Sequence, residues 1–186
     1  MTILINLLGQ PSAGKSTTLA DLFCTLKYQS KSVEMVTEWV KKYAWENRAI
    51  GAFDQYYIFG KEVNQQSRLI NKVDYIISDS PVYLSAFYQQ HYSDKTSLKE
   101  PVLDFYRALE QEGVTVYNFF LTRNKPYVAK GRYQTEMEAS VVASELYNWL
   151  KDNGIPFETL NCQDKERVNQ IIKRIGITNE ETETIR

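Results

Sequence analysis

The segment LLGQPSAGKSTTLADLF, Leu7 to Phe23, sets two glycines, a lysine and several hydroxyl residues between an apolar run and a helix-like pattern. Its centre, Gly9 to Ser16, has the spacing GxxxxGK[ST] after a strand and at the opening of a helix, the context that gives this pattern chemical meaning. In such a turn the backbone N–H groups of Ser12 to Ser16 can point into one concavity, and the helix that follows adds the positive end of its dipole. The chemistry is the holding of a triphosphate. Gly9, Pro11, Ser12, Ala13, Gly14, Lys15, Ser16 and Thr17 form the cradle, Lys15 reaches the β and γ phosphates, and Ser16 offers a hydroxyl to Mg²⁺.

A phosphate turn of this kind needs a carboxylate for its metal, and Asp79, at the end of the apolar run DYIIS, is the candidate. Its alternative role is the N-cap of a helix beginning at Pro81, which is compatible with metal binding. Glu38 ends the run VEMVT, and in a parallel sheet the carboxyl ends of the strands line the ligand crevice. There it can accept the proton of an attacking hydroxyl or hold a metal-bound water; otherwise it is a solvated strand-end acid. Arg123 and Arg132 lie on the charged stretch RNKPYVAKGRYQTE, where a cation on a closing loop would neutralise charge on a transferred group and exclude water. Either is a lid arginine or an exposed loop charge, and Lys125 and Lys130 read as solvent charges.

Asn124-Lys125 after an apolar strand resembles the start of the guanine-reading NKxD element, but residue 127 is Tyr, and Asp79 is followed by Ser80, Pro81 and Val82 where a GTPase switch has glycine at the third place. The nucleotide donor read by default is therefore ATP. Between Trp39 and Phe59 aromatics are dense, and most belong to a core. Trp39, Tyr43 and Tyr56 are candidates to stack on an acceptor ring, with Gln55 as a possible reader of its edge. His91, the one histidine, has no nucleophile beside it and reads as a helix-end residue.

The elements that must position these groups follow from the apolar spacing. Strands are expected at Ile3 to Leu8, Val33 to Thr37, Asp74 to Ser78, Val114 to Thr122 and Phe157 to Leu160. Helices are expected at Lys15 to Gln29, twice between Trp39 and Asn71 with a break near Gly51, and at Val82 to His91, Pro101 to Glu112, Glu136 to Lys151 and Lys165 to Ile175. Asn153-Gly154 looks like a helix stop. Short strands that are apolar on both faces and alternate with helices predict one α/β sandwich with a parallel sheet of about five strands.

With 186 residues, 43% of them hydrophobic, a single domain over 1–186 is expected, with a lid at 123–135 and a frayed tail at 179–186. Net charge is −1, so bulk attraction to nucleic acid or anionic membrane is not implied. No stretch approaches the ~18 apolar residues of a membrane span and the N-terminus lacks a basic leader, which predicts a soluble, cytoplasmic protein. Two distant cysteines suggest neither a disulfide framework nor a zinc site. Oligomeric state is not legible.

Taken in order, GQPSAGKST, VTEW, DYIISDSP and the stretch Arg123 to Gln134 resemble the P-loop kinase and predicted-ATPase group containing the nicotinamide riboside kinase domain of bifunctional NAD-biosynthesis proteins. More broadly the chain resembles nucleoside and deoxynucleotide kinases. The resemblance implies a five-stranded parallel sheet of order 2-3-1-4-5, ATP with Mg²⁺ as donor, Glu38 at the base-like position and Asp79 at the metal-carboxylate position. Related nucleoside kinases carry an arginine beside the acid after the third strand; here Ser80 and Pro81 stand there, which leaves the acceptor open. Three activities are consistent with the motifs: transfer to a nucleoside or nucleotide, transfer to a hydroxymethylated base within DNA as in certain phage kinases, and slow ATP hydrolysis by a nucleotide-switched binding protein. The near-neutral composition disfavours a polymeric acceptor, because duplex binding recruits many phosphate contacts.

Overall fold

The structure is a computed structural model that describes residues 1–93, 96–130 and 133–177. Arg132 and the tail 179–186 lie outside the described residues. Five strands, β1 (Ile3–Leu8), β2 (Val33–Val36), β3 (Tyr75–Ser78), β4 (Thr115–Leu121) and β5 (Glu158–Leu160), form one sheet of order β2-β3-β1-β4-β5. Every strand pair is parallel. The helices are α1 (Lys15–Tyr28), α2 (Lys41–Trp45), α3 (Asp54–Ser67), α4 (Tyr83–Tyr92), α5 (Lys99–Gln111), α6 (Glu136–Asp152) and α7 (Asp164–Arg174). Strand order and parallel pairing are those that the motif resemblance implies.

Period-2 alternation along the central strands feeds two separate cores. Leu4 and Leu8 of β1, Ile76 of β3 and Phe120 of β4 face a core with residues of α4, α5 and α6. Ile5 and Leu7, Ile77, and Phe119 with Leu121 face the other core, against Leu19, Leu22 and Leu26 of α1 and Ile171 and Ile172 of α7. Asn6, the one polar residue of β1, is buried and donates from Nδ2 to Oδ1 of its register partner Asn118 on β4 at 2.8 Å. It donates also to the Tyr106 hydroxyl on α5 at 3.3 Å. A polar residue at that depth is tolerated because it is hydrogen-bonded.

Several boundaries differ from the sequence reading for local reasons. Helix α5 begins at Lys99, so Pro101 sits within its first turn, where a missing N–H costs no intrahelical bond. Helix α2 is only five residues long, and the break before α3 spans the turn at Gly51. Helix α6 starts on a capping box, in which the Thr135 side chain accepts from Glu138 N–H while the Glu138 carboxylate accepts from Thr135 N–H. Its end at Gly154, φ +65°, is the glycine stop read from Asn153-Gly154.

The strand order reverses at β1, between β3 and β4, and the crevice at such a reversal lies beyond the strands' carboxyl ends. Gly9 sits at that edge with φ +132°, and a Cβ built there would lie 2.5 Å from the Leu121 carbonyl oxygen of β4. Both the backbone conformation and the contact exclude a side chain. Gly9→Ala is expected to cost about 2–4 kcal/mol of stability, measured by chemical denaturation. A wild-type midpoint for the variant would show that the turn relaxes freely.

Candidate active site

The turn after β1 reaches α1 through three residues in the left-handed region, Gly9, Ser12 (φ +69°) and Gly14 (φ +94°). This curl lets a short loop fold around a concavity rather than continue the strand. The Ala13 N–H donates to the Gln10 carbonyl at 3.1 Å, and the Lys15 ammonium folds back onto the carbonyls of Gly9 at 2.9 Å and Gln10 at 3.2 Å. Ser16, at the first turn of α1, donates from its hydroxyl to Asp79 Oδ2 at 2.7 Å.

Asp79 follows β3 and is buried, and its other oxygen, Oδ1, accepts the Glu38 backbone N–H at 3.0 Å. One carboxylate therefore ties the start of α1 to the chain leaving β2. The register explains this meeting. Val36 pairs with Ser78, so the residues just beyond each strand emerge side by side.

A cavity of about 370 Å³ is lined by residues of the turn after β1 together with Glu38. Its lining includes Pro11, Ser12, Gly14, Lys15, Ser16 and Thr17 of the turn and α1, Glu38 and Ser80 beyond β2 and β3, and Val40, Ile50, Gln55, Ile58, Leu84, Tyr88, Tyr92 and Tyr133. Burial first, with the Glu38 carboxylate beside it, raises the Tyr88 hydroxyl above its ordinary value and keeps it a neutral donor. The loop after β4 closes over the turn: Val128 N–H donates to the Ser12 hydroxyl at 3.2 Å, and the Tyr133 hydroxyl donates to the Arg48 carbonyl at 2.7 Å.

The structure thus gathers Lys15, Ser16, Glu38 and Gln55 around one cavity, with Asp79 directly behind Ser16. Pro11, Ser12, Gly14 and Thr17 line it too, whereas Gly9, Ala13, Arg123, Trp39, Tyr43 and Tyr56 stand outside its lining, and Arg132 is not among the described residues. Arg123 Nη1 pairs with Glu136 at 2.7 Å and its guanidinium lies 5.5 Å from the Tyr127 ring centre, at the root of the loop. Trp39 carries Lys42 on its face at 3.3 Å and Lys61 at 5.1 Å, Tyr43 is buried beneath Arg48, and Tyr56 is 43% exposed.

Sequence reading passed over Glu62. This residue of α3 is almost wholly buried and accepts the Trp39 backbone N–H at 3.3 Å, next to Glu38. Burial pushes its carboxyl up to about 8, opposed by the bonds from Trp39 and Ser80 and assisted by the nearby Glu38 and Asp79. A signal was available: Gln55, Glu62 and Gln66 share the buried face of α3 with Ile58. A helix that turns three polar side chains inward is facing something other than a core.

Fold and site together define a P-loop nucleotide-binding domain of the kinase-like, five-stranded parallel type. The chain belongs to the AAA domain family, whose model matches residues 4–167. No curated protein matches it by sequence. Among solved structures it is similar to the NadR protein in complex with NR, at TM-score 0.73 and 14% identity. That likeness covers 95% of this chain but 52% of the other, so the chain spans about half of the NadR protein's length. It is similar also to thymidylate kinase from Candida albicans, at TM-score 0.64 and 14% identity over 94% of this chain and 91% of that one. A deoxyadenosine kinase from M. mycoides is similar at TM-score 0.61 and 16% identity, over 92% and 98% of the two chains. These neighbours are of the group that the sequence motifs resemble. Among the described residues no helix is long and apolar enough to cross a membrane.

Proposed function

We propose that the chain is one kinase domain over residues 1–186 that transfers the γ-phosphoryl group of ATP, with Mg²⁺, to a nucleoside or nucleotide-type acceptor in the cytoplasm. The observation that carries this reading is that a single cavity is lined both by Lys15 and Ser16 and by Glu38, Tyr88, Tyr92 and Tyr133. A timing switch needs the first pair; it has no use for the aromatic walls. The volume falls within the ~300–1,000 Å³ of small-molecule pockets, and aromatic walls suit a planar ring. The kinase names of two structural neighbours support the same reading.

Ser16 and Asp79 would hold Mg²⁺. A hydroxyl and a carboxylate are the hard oxygen donors this ion takes, and the two already meet. When bound it neutralises charge on phosphate oxygens. The Lys15 ammonium exchanges the Gly9 and Gln10 carbonyls for phosphate oxygens and offsets the charge that develops on the transferred group. Glu38 takes the proton of the attacking acceptor hydroxyl as the new O–P bond forms and the bond from the γ-phosphorus to the β–γ bridging oxygen breaks, with ADP leaving. Gln55 orients the acceptor ring. Arg123 holds the lid root to Glu136, and Arg132 is the lid cation assigned from the sequence.

A second reading, transfer to a hydroxymethylated base within DNA, is favoured by one observation. Trp45, Phe53 and Tyr57 on and around α2 and α3 are at least half exposed, with Lys42 and Lys61 near Tyr57 and Trp39. Exposed rings interleaved with lysine suit stacked bases.

Incubation with γ-labelled ATP and nucleosides, nucleotides or hydroxymethyluracil DNA separates the readings. Label is expected on a nucleoside or nucleotide. Label on DNA alone selects the second reading, and slow phosphate release to water with no acceptor labelled sinks both. Glu38→Gln is expected to lower kcat by about 10²–10⁴ with ATP affinity unchanged. Full activity in that variant would remove Glu38 as the base.

A further inference from the structure

Arg167 of α7 is fully buried, the largest side chain with that property among the described residues. Arginine is among the residues least often found so deep, and its charge demands partners there. It has them in the backbone of two other segments. Nη1 donates to the Ala13 carbonyl at 2.6 Å, and Nη2 donates to the Thr122 carbonyl, the last residue before Arg123 and the lid. The apolar face of α7, Val168, Ile171 and Ile172, packs in the same core as Ala13, Leu19 and Leu22, which presses the helix against the outer side of the phosphate turn.

We propose that Arg167 is a positioning residue of the phosphate site, clamping the Ala13 carbonyl outward so that the Gly14 N–H faces the cavity, and joining the turn to the lid root through Thr122. The inference rests on the reading of the turn as a phosphate site. Its physics is peptide planarity. Among the described residues no peptide bond is cis, so the Ala13 carbonyl and the Gly14 N–H point in opposite directions from one rigid plane. Whatever holds the first aims the second, and Gly14 lines the cavity. With φ +94°, Gly14 has little local preference to supply that orientation itself. The planar guanidinium presents its donors in a fixed fork, so it sets the two carbonyls relative to each other as a single ammonium cannot. Lys15 holds the Gly9 and Gln10 carbonyls but gives them up to phosphate; Arg167 lies on the far side of the turn and keeps its grip when phosphate arrives.

The test is binding of tripolyphosphate and ADP to R167K and R167M by calorimetry, well below each variant's melting temperature. R167K is expected to bind both about tenfold more weakly, with the acceptor KM unchanged. The Gly14 amide resonance, which shifts on tripolyphosphate addition in the unaltered protein, is expected to shift much less in R167K. A residue that only stabilised the fold would lower the melting temperature and leave affinity and resonance alone. Wild-type affinity in either folded variant overturns the inference, and if R167M does not fold, R167K decides. If the unaltered protein binds neither tripolyphosphate nor ADP, the phosphate-site reading falls first and this inference with it.

Discussion

Replacing Lys15 with alanine is expected to lower kcat for phosphoryl transfer by about three orders of magnitude or more, while the protein still folds. The side chain reaches from the first residue of α1 back across the turn to the Gly9 and Gln10 carbonyls. On the proposed function those contacts are exchanged for phosphate oxygens in the reacting complex, so the ammonium would act mainly where charge is being redistributed. An interaction stronger in the transition state than in the ground state appears in kcat rather than KM. Folding depends on it little. Lys15 itself lines the cavity, where water can take the place of its ammonium, and the expected stability loss is within about 1 kcal/mol. Single-turnover transfer from labelled ATP, with circular-dichroism melting alongside, measures both quantities. Activity within tenfold of the unaltered protein would show that the turn does not serve catalysis.

The second large effect concerns Glu62 and pH. Its carboxyl is raised from an ordinary 4.5 to about 8 by burial, so between these values the folded protein keeps a proton that the unfolded chain releases. The sign follows from linkage: the stability this group contributes is complete below about pH 4.5, falls as pH rises through the window, and is fully lost above about 8. A shift of that size corresponds to about 5 kcal/mol. Glu62→Gln keeps the shape and removes the titration. The variant is therefore expected to lose about 3–5 kcal/mol less stability than the unaltered protein between pH 5 and pH 8.5, measured by urea denaturation at both. Equal losses would mean that Glu62 ionises without penalty. The same titration bears on the site, because an ionised Glu62 adds a third negative charge beside Glu38 and Asp79.

Much of the site was legible because its chemistry is written locally. GQPSAGKS contains within eight residues the glycines, lysine and serine that a phosphate turn needs, and the flanking apolar runs say strand before and helix after. Asp79 and Glu38 could be picked out for a related reason. Each ends a short apolar strand, and parallel strands deliver their carboxyl ends to one edge. Acceptor-side candidates were harder: of Trp39, Tyr43, Gln55 and Tyr56, Gln55 lines the cavity, whereas Tyr88, read as a helix residue, Tyr133, read as a lid residue, and Tyr92, just past the expected helix end at His91, also line it. A ring's identity says that it can stack. It does not say on what.

By itself, then, the sequence determined the P-loop, the α/β alternation and, through the resemblance of its motifs, the strand order later found in the sheet. These depend on backbone preferences and apolar periodicity over a few turns of chain. Only the tertiary structure decided that Asp79 joins Ser16 to the Glu38 backbone, that Glu62 is buried beside them, and that Arg167 grips the turn from α7. Ser16 and Asp79 are 63 residues apart, and Ala13 and Arg167 are 154 apart. No local preference records such a meeting. It arises when packing of the two cores brings the strand ends and α7 together, and the buried guanidinium of Arg167 then meets the Ala13 and Thr122 carbonyls it finds there.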